Sequence, residues 1–226
     1  MKKCIFAQPT VEFLGHSVSA EGIGTAEHIL AKIRQCQPPR NKSELRTFLG
    51  LTNYYMTHAP WYAHVALPLY RLLHQRAEFL WTPECTRAFS QLKRLLTTAP
   101  VLRFPDFARQ FILHCDASGT AVGAVLTQVD DEGVEHPVKF MSKALSPAQC
   151  KYSIGELECL AVLLAIRKWK KFIAGTTFRV VTDHRPLLAL LGHVREAPNA
   201  RLARWALELQ SYDFDIVHRS GVTHQN

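Results

Sequence analysis

No Cys-x-x-Cys pair occurs in this sequence. Its six cysteines (Cys4, Cys36, Cys85, Cys115, Cys150, Cys159) are scattered, and none stands at short ligand spacing from the eleven histidines. That excludes a zinc knuckle and offers no disulfide framework. No apolar run approaches the roughly 18 residues of a membrane span, and the opening MKKCIFAQP lacks the apolar stretch of a signal peptide. A reduced, intracellular, cytoplasmic chain with no membrane partner is therefore expected. Repeats and low-complexity tracts are also missing. Only 20% of the 226 residues are charged against 47% hydrophobic, the balance of a folded protein and not of a polyelectrolyte tail. At this length a complete multi-domain polymerase does not fit.

Acidic residues are the scarce sign: 19 Asp/Glu face 27 Lys/Arg, for a net charge of +8 and a pI near 9.3. The excess is uneven. Residues 1–99 carry twelve Lys/Arg against six Asp/Glu, whereas residues 100–226 are nearly balanced at fifteen against thirteen. A polyanionic partner is the first implication, although many intracellular domains are this basic without binding nucleic acid.

Residues 3–7 and 11–18 are short β-prone runs joined through Gln8, Pro9 and Thr10, a hairpin-like start. After Gly22 and Gly24 the pattern turns helical: AEHILAKIRQC, SELRTFLGLTNYYMTHA with Ser43 as N-cap, ALPLYRLLHQ, and TPECTRAFSQLKRLLT with Thr82 as N-cap and Pro83 at the first helical position. At Ala99 and Pro100 the pattern changes again. RQFILHCD, AVGAVLTQ and HPVKFMS read as an antiparallel meander with turns at SGT and DDEG. A long helix from Ser153 to Ala174 follows, ended by Gly175; then come the strand TFRVVTD, the short helix PLLALLG, the helix NARLARWALELQ and the strand YDFDIVH. This order predicts an α+β chain: a small helical unit, then a mixed five-stranded sheet with helices packed on it.

Three carboxylates stand where an ordinary element gains little from them. Asp116 ends the apolar run FILHC, Glu158 lies early in the long helix among Leu157, Leu160, Ala161 and Val162, and Asp183 ends FRVV. Buried or half-buried carboxylates are costly unless paired or bound to a cation. Each has a structural alternative: Asp116 could begin a turn, Glu158 could favour the helix dipole, and Asp183 could cap the helix near Pro186. Together, on elements that a βββαβ order brings side by side, they suit oxygen ligation of hard divalent cations.

FILHCDASGTAVGAVLTQ, YSIGELECLAVLLAIRKWKKFIAGTTFRVVTDHRPLLALL and HRSGVTHQN resemble the RNase H domain of gypsy-type LTR-retrotransposon reverse transcriptases. VEFLGHSVSAEGI is similar to their primer-grip hairpin at the end of the palm. LRTFLGLTNYYMTHAP and FLWTPECTRAFSQLKRLLTTAPVL are similar to their thumb and its joint to RNase H. The resemblance implies a primer-grip-like hairpin over 1–24, a helical thumb-like unit over 25–98 and an RNase H-like domain over 99–226. By motif position it implies catalytic, metal-binding roles for Asp116, for Glu158 (with Glu156 as the rival claimant) and for Asp183. Mg²⁺, or Mn²⁺ in its place, would support two-metal hydrolysis of the RNA strand of RNA/DNA hybrids, the ions lying about 4 Å apart. Asp116 would bridge them. The family's fourth aspartate follows the closing Gly-x-x-x-Asn segment, and the sequence ends at Asn226 before it. A C-terminally truncated domain with a weakened metal site and low or no hydrolysis by this chain alone is expected on that basis. The rival expectation is a catalytically inactive nucleic-acid-binding remnant. His218 is either the counterpart of a product-release histidine or an ordinary surface residue.

The family's polymerase centre, a Tyr/Phe-x-Asp-Asp hairpin, is not found before residue 25, so no DNA synthesis is expected. Gln128-Val129-Asp130-Asp131 lies inside the meander and reads as a solvated turn. Lys32, Arg34, Arg40, Lys42 and Arg46, with Asn53, Tyr54 and Tyr55 beyond them, are candidate phosphate contacts of a thumb, or else a solvated helix face. Lys168, Lys170 and Lys171, beside Arg167 and Trp169, either touch a hybrid or serve the helix C-terminus. Expected partners are an RNA/DNA hybrid or duplex and the palm and fingers of a reverse transcriptase, with a virus-like particle as a compatible setting.

Overall fold

The structure is a computed structural model and describes residues 7–183 and 198–219. The chain forms two compact units: Met1–Ala59 with Val65–Phe104, and Pro60–His64 with Pro105–Asn226.

In the first unit β1 (Thr10–Phe13), β2 (His16–Ser19) and β3 (Gly22–Thr25) form a three-stranded antiparallel meander. The expected single strand over 11–18 is thus two strands, because Leu14 (φ 49°) and Gly15 (φ 81°) both adopt the left-handed conformation of a tight hairpin turn. The other run of that expected hairpin, 3–7, lies almost wholly outside the described residues.

Helices α1 (Glu27–Gln35), α2 (Lys42–Tyr54), α3 (Tyr62–Leu72) and α4 (Pro83–Thr97) follow. The α4 boundary is as read: the Thr82 side chain accepts from the Cys85 backbone, and Pro83 opens the helix. That of α2 is not. Asn41, not Ser43, is its N-cap. The Asn41 Oδ1 accepts from Glu44 N at 2.9 Å, while the Glu44 carboxylate accepts in return from Arg40 N and Asn41 Nδ2. The helix also stops at Tyr54, and Met56–His58 form a separate 3-10 turn. Leu45, Phe48, Leu69, Phe89 and Leu92 fill this unit's core, with the Phe48 and Phe89 rings 4.6 Å apart. Each such buried side chain contributes about 1.5–3 kcal/mol relative to exposure.

The second unit is built on β4 (Ile112–Ala117), β5 (Ala121–Val129), β6 (Glu135–Ala144), β7 (Phe178–Thr182) and β8 (Phe214–His218), with α5 (Ile154–Ile173) and α6 (Ala200–Leu209). Spatial order is β6-β5-β4-β7-β8. The β4–β5 and β5–β6 pairs are antiparallel, whereas β4–β7 and β7–β8 are parallel, so the sheet is mixed and five-stranded as expected. Strand alternation sends Leu113 and Cys115 of β4, and their partners Leu126 and Ala124 of β5, into one core with Cys159, Val162, Ile166 and Trp169 of α5. His114 and Asp116 consequently point to the other face. The start of α5 is a capping box, in which the Ser153 and Glu156 side chains each bond the other's backbone N–H. The proposed helix PLLALLG lies outside the described residues. One backbone outlier belongs to this unit: Trp61 takes φ 54°, a conformation that costs a bulky residue about 1–3 kcal/mol.

Candidate metal centre

Asp116 is the penultimate residue of β4, and Asp183 is the first residue past β7. Because these strands are adjacent and parallel, both aspartates emerge at the same carboxyl edge of the sheet, the usual place for a site in such sheets. Glu158 reaches that edge from the fifth residue of α5. One oxygen from each of the three carboxylates lies within 4.8 Å of the others, and this is the one grouping of three or more acidic, His or Cys ligands found among the described residues.

The three differ in surroundings. Asp116 and Asp183 are exposed, whereas Glu158 is 5% exposed. Its Oε2 is buried with no hydrogen-bond partner among the described residues. Burial, then the charge of Asp116, then that of Asp183 push the Glu158 carboxyl up to about 8; a hydrogen bond from the Ala117 backbone opposes them. At neutral pH, without a cation, this site holds a proton that a metal ion would displace. The neighbouring thiols are poor nucleophiles: burial and these carboxylates push Cys115 up, and burial pushes Cys159 to about 12.

Glu156, the rival claimant, is committed elsewhere. Its carboxylate accepts from Ser153 N and Oγ, from Asn199 Nδ2 at 3.2 Å and from Arg201 Nη1 at 2.8 Å, so it ties the start of α5 to the start of α6. It also caps the helix N-terminus. The turn after Asp116 is built by Ser118, whose Oγ accepts from Thr120 N and Ala121 N. His218 Nε2 stands 3.0 Å from the Asp183 carbonyl oxygen, at the edge of the cluster.

Residues 81–180 match the RNase H-like domain found in reverse transcriptase. That stretch is similar to the family. Over 221 residues, 97% of its length, the chain is 38% identical to the Transposon Tf2-3 and Tf2-4 polyproteins of Schizosaccharomyces pombe (strain 972), and it spans 17% of each. Two solved structures share the fold at 21% identity. One is the foamy viral protease-reverse transcriptase in complex with RNA/DNA hybrid (TM-score 0.80, 99% of this chain, 31% of that one). The other is the same protein in complex with dsDNA (TM-score 0.81, 97% and 47%).

Within the RNase H-like domain, Gln128-Val129-Asp130-Asp131 closes β5 and opens a turn. Gln128 is buried and donates to the Asp106 and Arg109 carbonyls, while Asp130 Oδ1 accepts from Glu132 N and Val134 N. Lys168, Lys170 and Lys171 are exposed near the end of α5, while Arg167 is paired with Glu208 at 2.6 Å and Trp169 is buried. The remaining candidate contacts fall in the first unit. Lys32 and Arg46 are exposed, and Arg34 pairs with Glu27 at 2.6 Å. Lys42 Nζ donates to the His74 carbonyl, Asn53 Oδ1 accepts from Tyr70, and the Tyr54 hydroxyl donates to the Leu14 carbonyl. Arg34, Lys42, Asn53 and Tyr54 thus have protein partners, whereas the side chains of Lys32, Arg40 and Arg46 make no hydrogen bond or ion pair among the described residues. The Glu156–Asn199–Arg201 tie went unread in the sequence, since residues 43 and 45 positions apart carry no local signal of contact.

Proposed function

We propose that the RNase H-like domain hydrolyses the RNA strand of RNA/DNA hybrids, with divalent cations held by Asp116, Glu158 and Asp183. The convergence of these carboxylates at one sheet edge carries the reading. The residues fit Mg²⁺ or Mn²⁺: all donors are hard carboxylate oxygens, the buried Glu158 Oε2 has no protein donor among the described residues, and a cation relieves the repulsion that raises Glu158. Bound there, such ions supply activation of water and stabilisation of the leaving oxygen.

The chain's own residues do the rest. Exposed Asp116 and Asp183 present oxygens at the surface a phosphodiester can reach, while buried Glu158, fixed early in the capped helix α5, closes the cluster from behind. Exposed Lys168, Lys170 and Lys171, with Lys32 and Arg46 in the first unit, contribute sequence-independent phosphate affinity. The foamy viral protein of the same fold binds RNA/DNA hybrid and dsDNA. Palm and fingers from elsewhere in a polyprotein are the natural companions.

The test is cleavage of a hybrid labelled on its RNA strand, with Mg²⁺ or Mn²⁺. Parent protein cuts the RNA, and Asp116→Asn or Asp183→Asn slows cutting by at least about 100-fold. Equal cutting by parent and variants overturns the assignment. Metal-independent binding with no cutting by the parent establishes a binding module instead.

A further inference from the structure

We propose that Trp61 is a stacking platform for a base of the nucleic-acid strand at the carboxylate cluster, a role that rests on the hydrolytic reading above. Residues Pro60–His64 pack with the RNase H-like unit. A Cβ placed on Gly123 would collide with Trp61 Cζ3 and lie 2.5 Å from Cε3 and 2.9 Å from Cη2. The six-membered edge of the indole therefore occupies the place a side chain at 123 would take. Gly123 is the register partner of Asp116 across β4 and β5. Directly opposed residues project from the same face with Cβ atoms about 4.5–5.5 Å apart. The indole is thus seated next to Asp116, on the face that Asp116 uses.

Three contacts hold it there. Ala63 N donates to Ser142 Oγ at 2.9 Å, His64 N donates to the Trp61 carbonyl at 3.0 Å, and His64 Nδ1 stands 3.4 Å from Thr120 Oγ1. Ser142 is Gly123's partner on β6, so the turn is stapled along the row Asp116–Gly123–Ser142. Two further features separate Trp61 from a core tryptophan. It accepts a left-handed backbone that glycine would adopt without strain, and it leaves 37% of its surface exposed, whereas Trp169 is 1% exposed.

An indole beside Asp116 offers no oxygen ligand to a hard divalent cation. It does suit a planar base carried on the phosphate backbone that the cluster would bind. Stacking of a base released from pairing on an aromatic side chain is tolerant of sequence, as a non-specific nuclease requires.

Binding of a fluorescent RNA/DNA hybrid, read by anisotropy, separates the outcomes, with melting curves confirming that each variant is folded. Trp61→Gly, which suits φ 54°, weakens binding about 5- to 150-fold, and Trp61→Phe keeps most of the affinity. Gly123→Ala, which drives the indole from its seat, weakens the parent and adds nothing in the Trp61→Gly background. Moving an abasic site along the hybrid locates one position where base removal weakens the parent but not Trp61→Gly. Equal binding by parent and Trp61→Gly overturns the platform alone, as does a loss in Trp61→Gly that is the same with every abasic hybrid. A parent that binds no hybrid overturns the platform and the hydrolytic reading together.

Discussion

Replacing Glu158 by glutamine should stabilise the metal-free protein at alkaline pH and weaken its response to Mg²⁺. Burial and two neighbouring aspartates raise this carboxyl from the usual 4.5 to about 8. At about 1.4 kcal/mol per pH unit, ionised Glu158 costs the metal-free fold up to about 5 kcal/mol. Below pH 4.5 the group is neutral in folded and unfolded chains alike, and there is no penalty. Between 4.5 and 8 the unfolded chain gives up its proton while the folded one keeps it, so stability falls as pH rises. Above 8 the full penalty applies. A glutamine side chain has the same shape and no charge, so the gap between Glu158→Gln and the parent grows by several kcal/mol from about pH 5 to about pH 9. Urea melts in EDTA measure this gap. Mg²⁺ then narrows it by stabilising the parent more than the variant, the parent by about 2.7 kcal/mol at a hundredfold excess over Kd. A gap independent of pH, or Mg²⁺ stabilising both proteins equally, refutes the electrostatic description of the site.

Glu156→Ala removes a reciprocal cap and the tie to Asn199 and Arg201. It should cost about 2–3 kcal/mol in urea melts, whereas Glu156→Gln keeps the cap and loses about half of that; equal losses would show that the ion pair alone matters. Hydrogen bonds from His114 and Thr127 hold Glu135 down to about 2, so its contribution is complete above pH 4.5 and lost as pH falls through 2. With Glu135 about a third exposed, screening leaves about 1–2 kcal/mol, and Glu135→Gln should flatten the acid limb of the stability curve by that amount. An unchanged acid limb would remove this pair from the account.

The parts legible in the sequence were those governed by local chemistry. Thr82-Pro83 marked the start of α4, Ser153 marked that of α5, and the SGT and DDEG turns delimited β4, β5 and β6. Where local signals competed, reading was less secure. Asn41 and Ser43 are both good caps, and only the reciprocal bond with Glu44 selects Asn41. Leu14 gives no hint that it will take a positive φ and divide a strand in two. The rivalry of Glu156 and Glu158 needed three dimensions. Residues two apart on a helix point about 200° from one another, so one could face Asp116 and Asp183 only if the other faced α6. Trp61 was invisible as a site residue, because its neighbourhood with Asp116 arises through Gly123, sixty-two positions away in the chain.

Uptake of Mn²⁺, followed by electron paramagnetic resonance at neutral pH, tests the central claim most directly. The parent should remove Mn²⁺ from the free signal in a saturable way that Mg²⁺ competes with, and Asp116→Asn, Glu158→Gln and Asp183→Asn should each weaken it. Uptake that is unchanged in all three variants would contradict a metal centre built from these carboxylates.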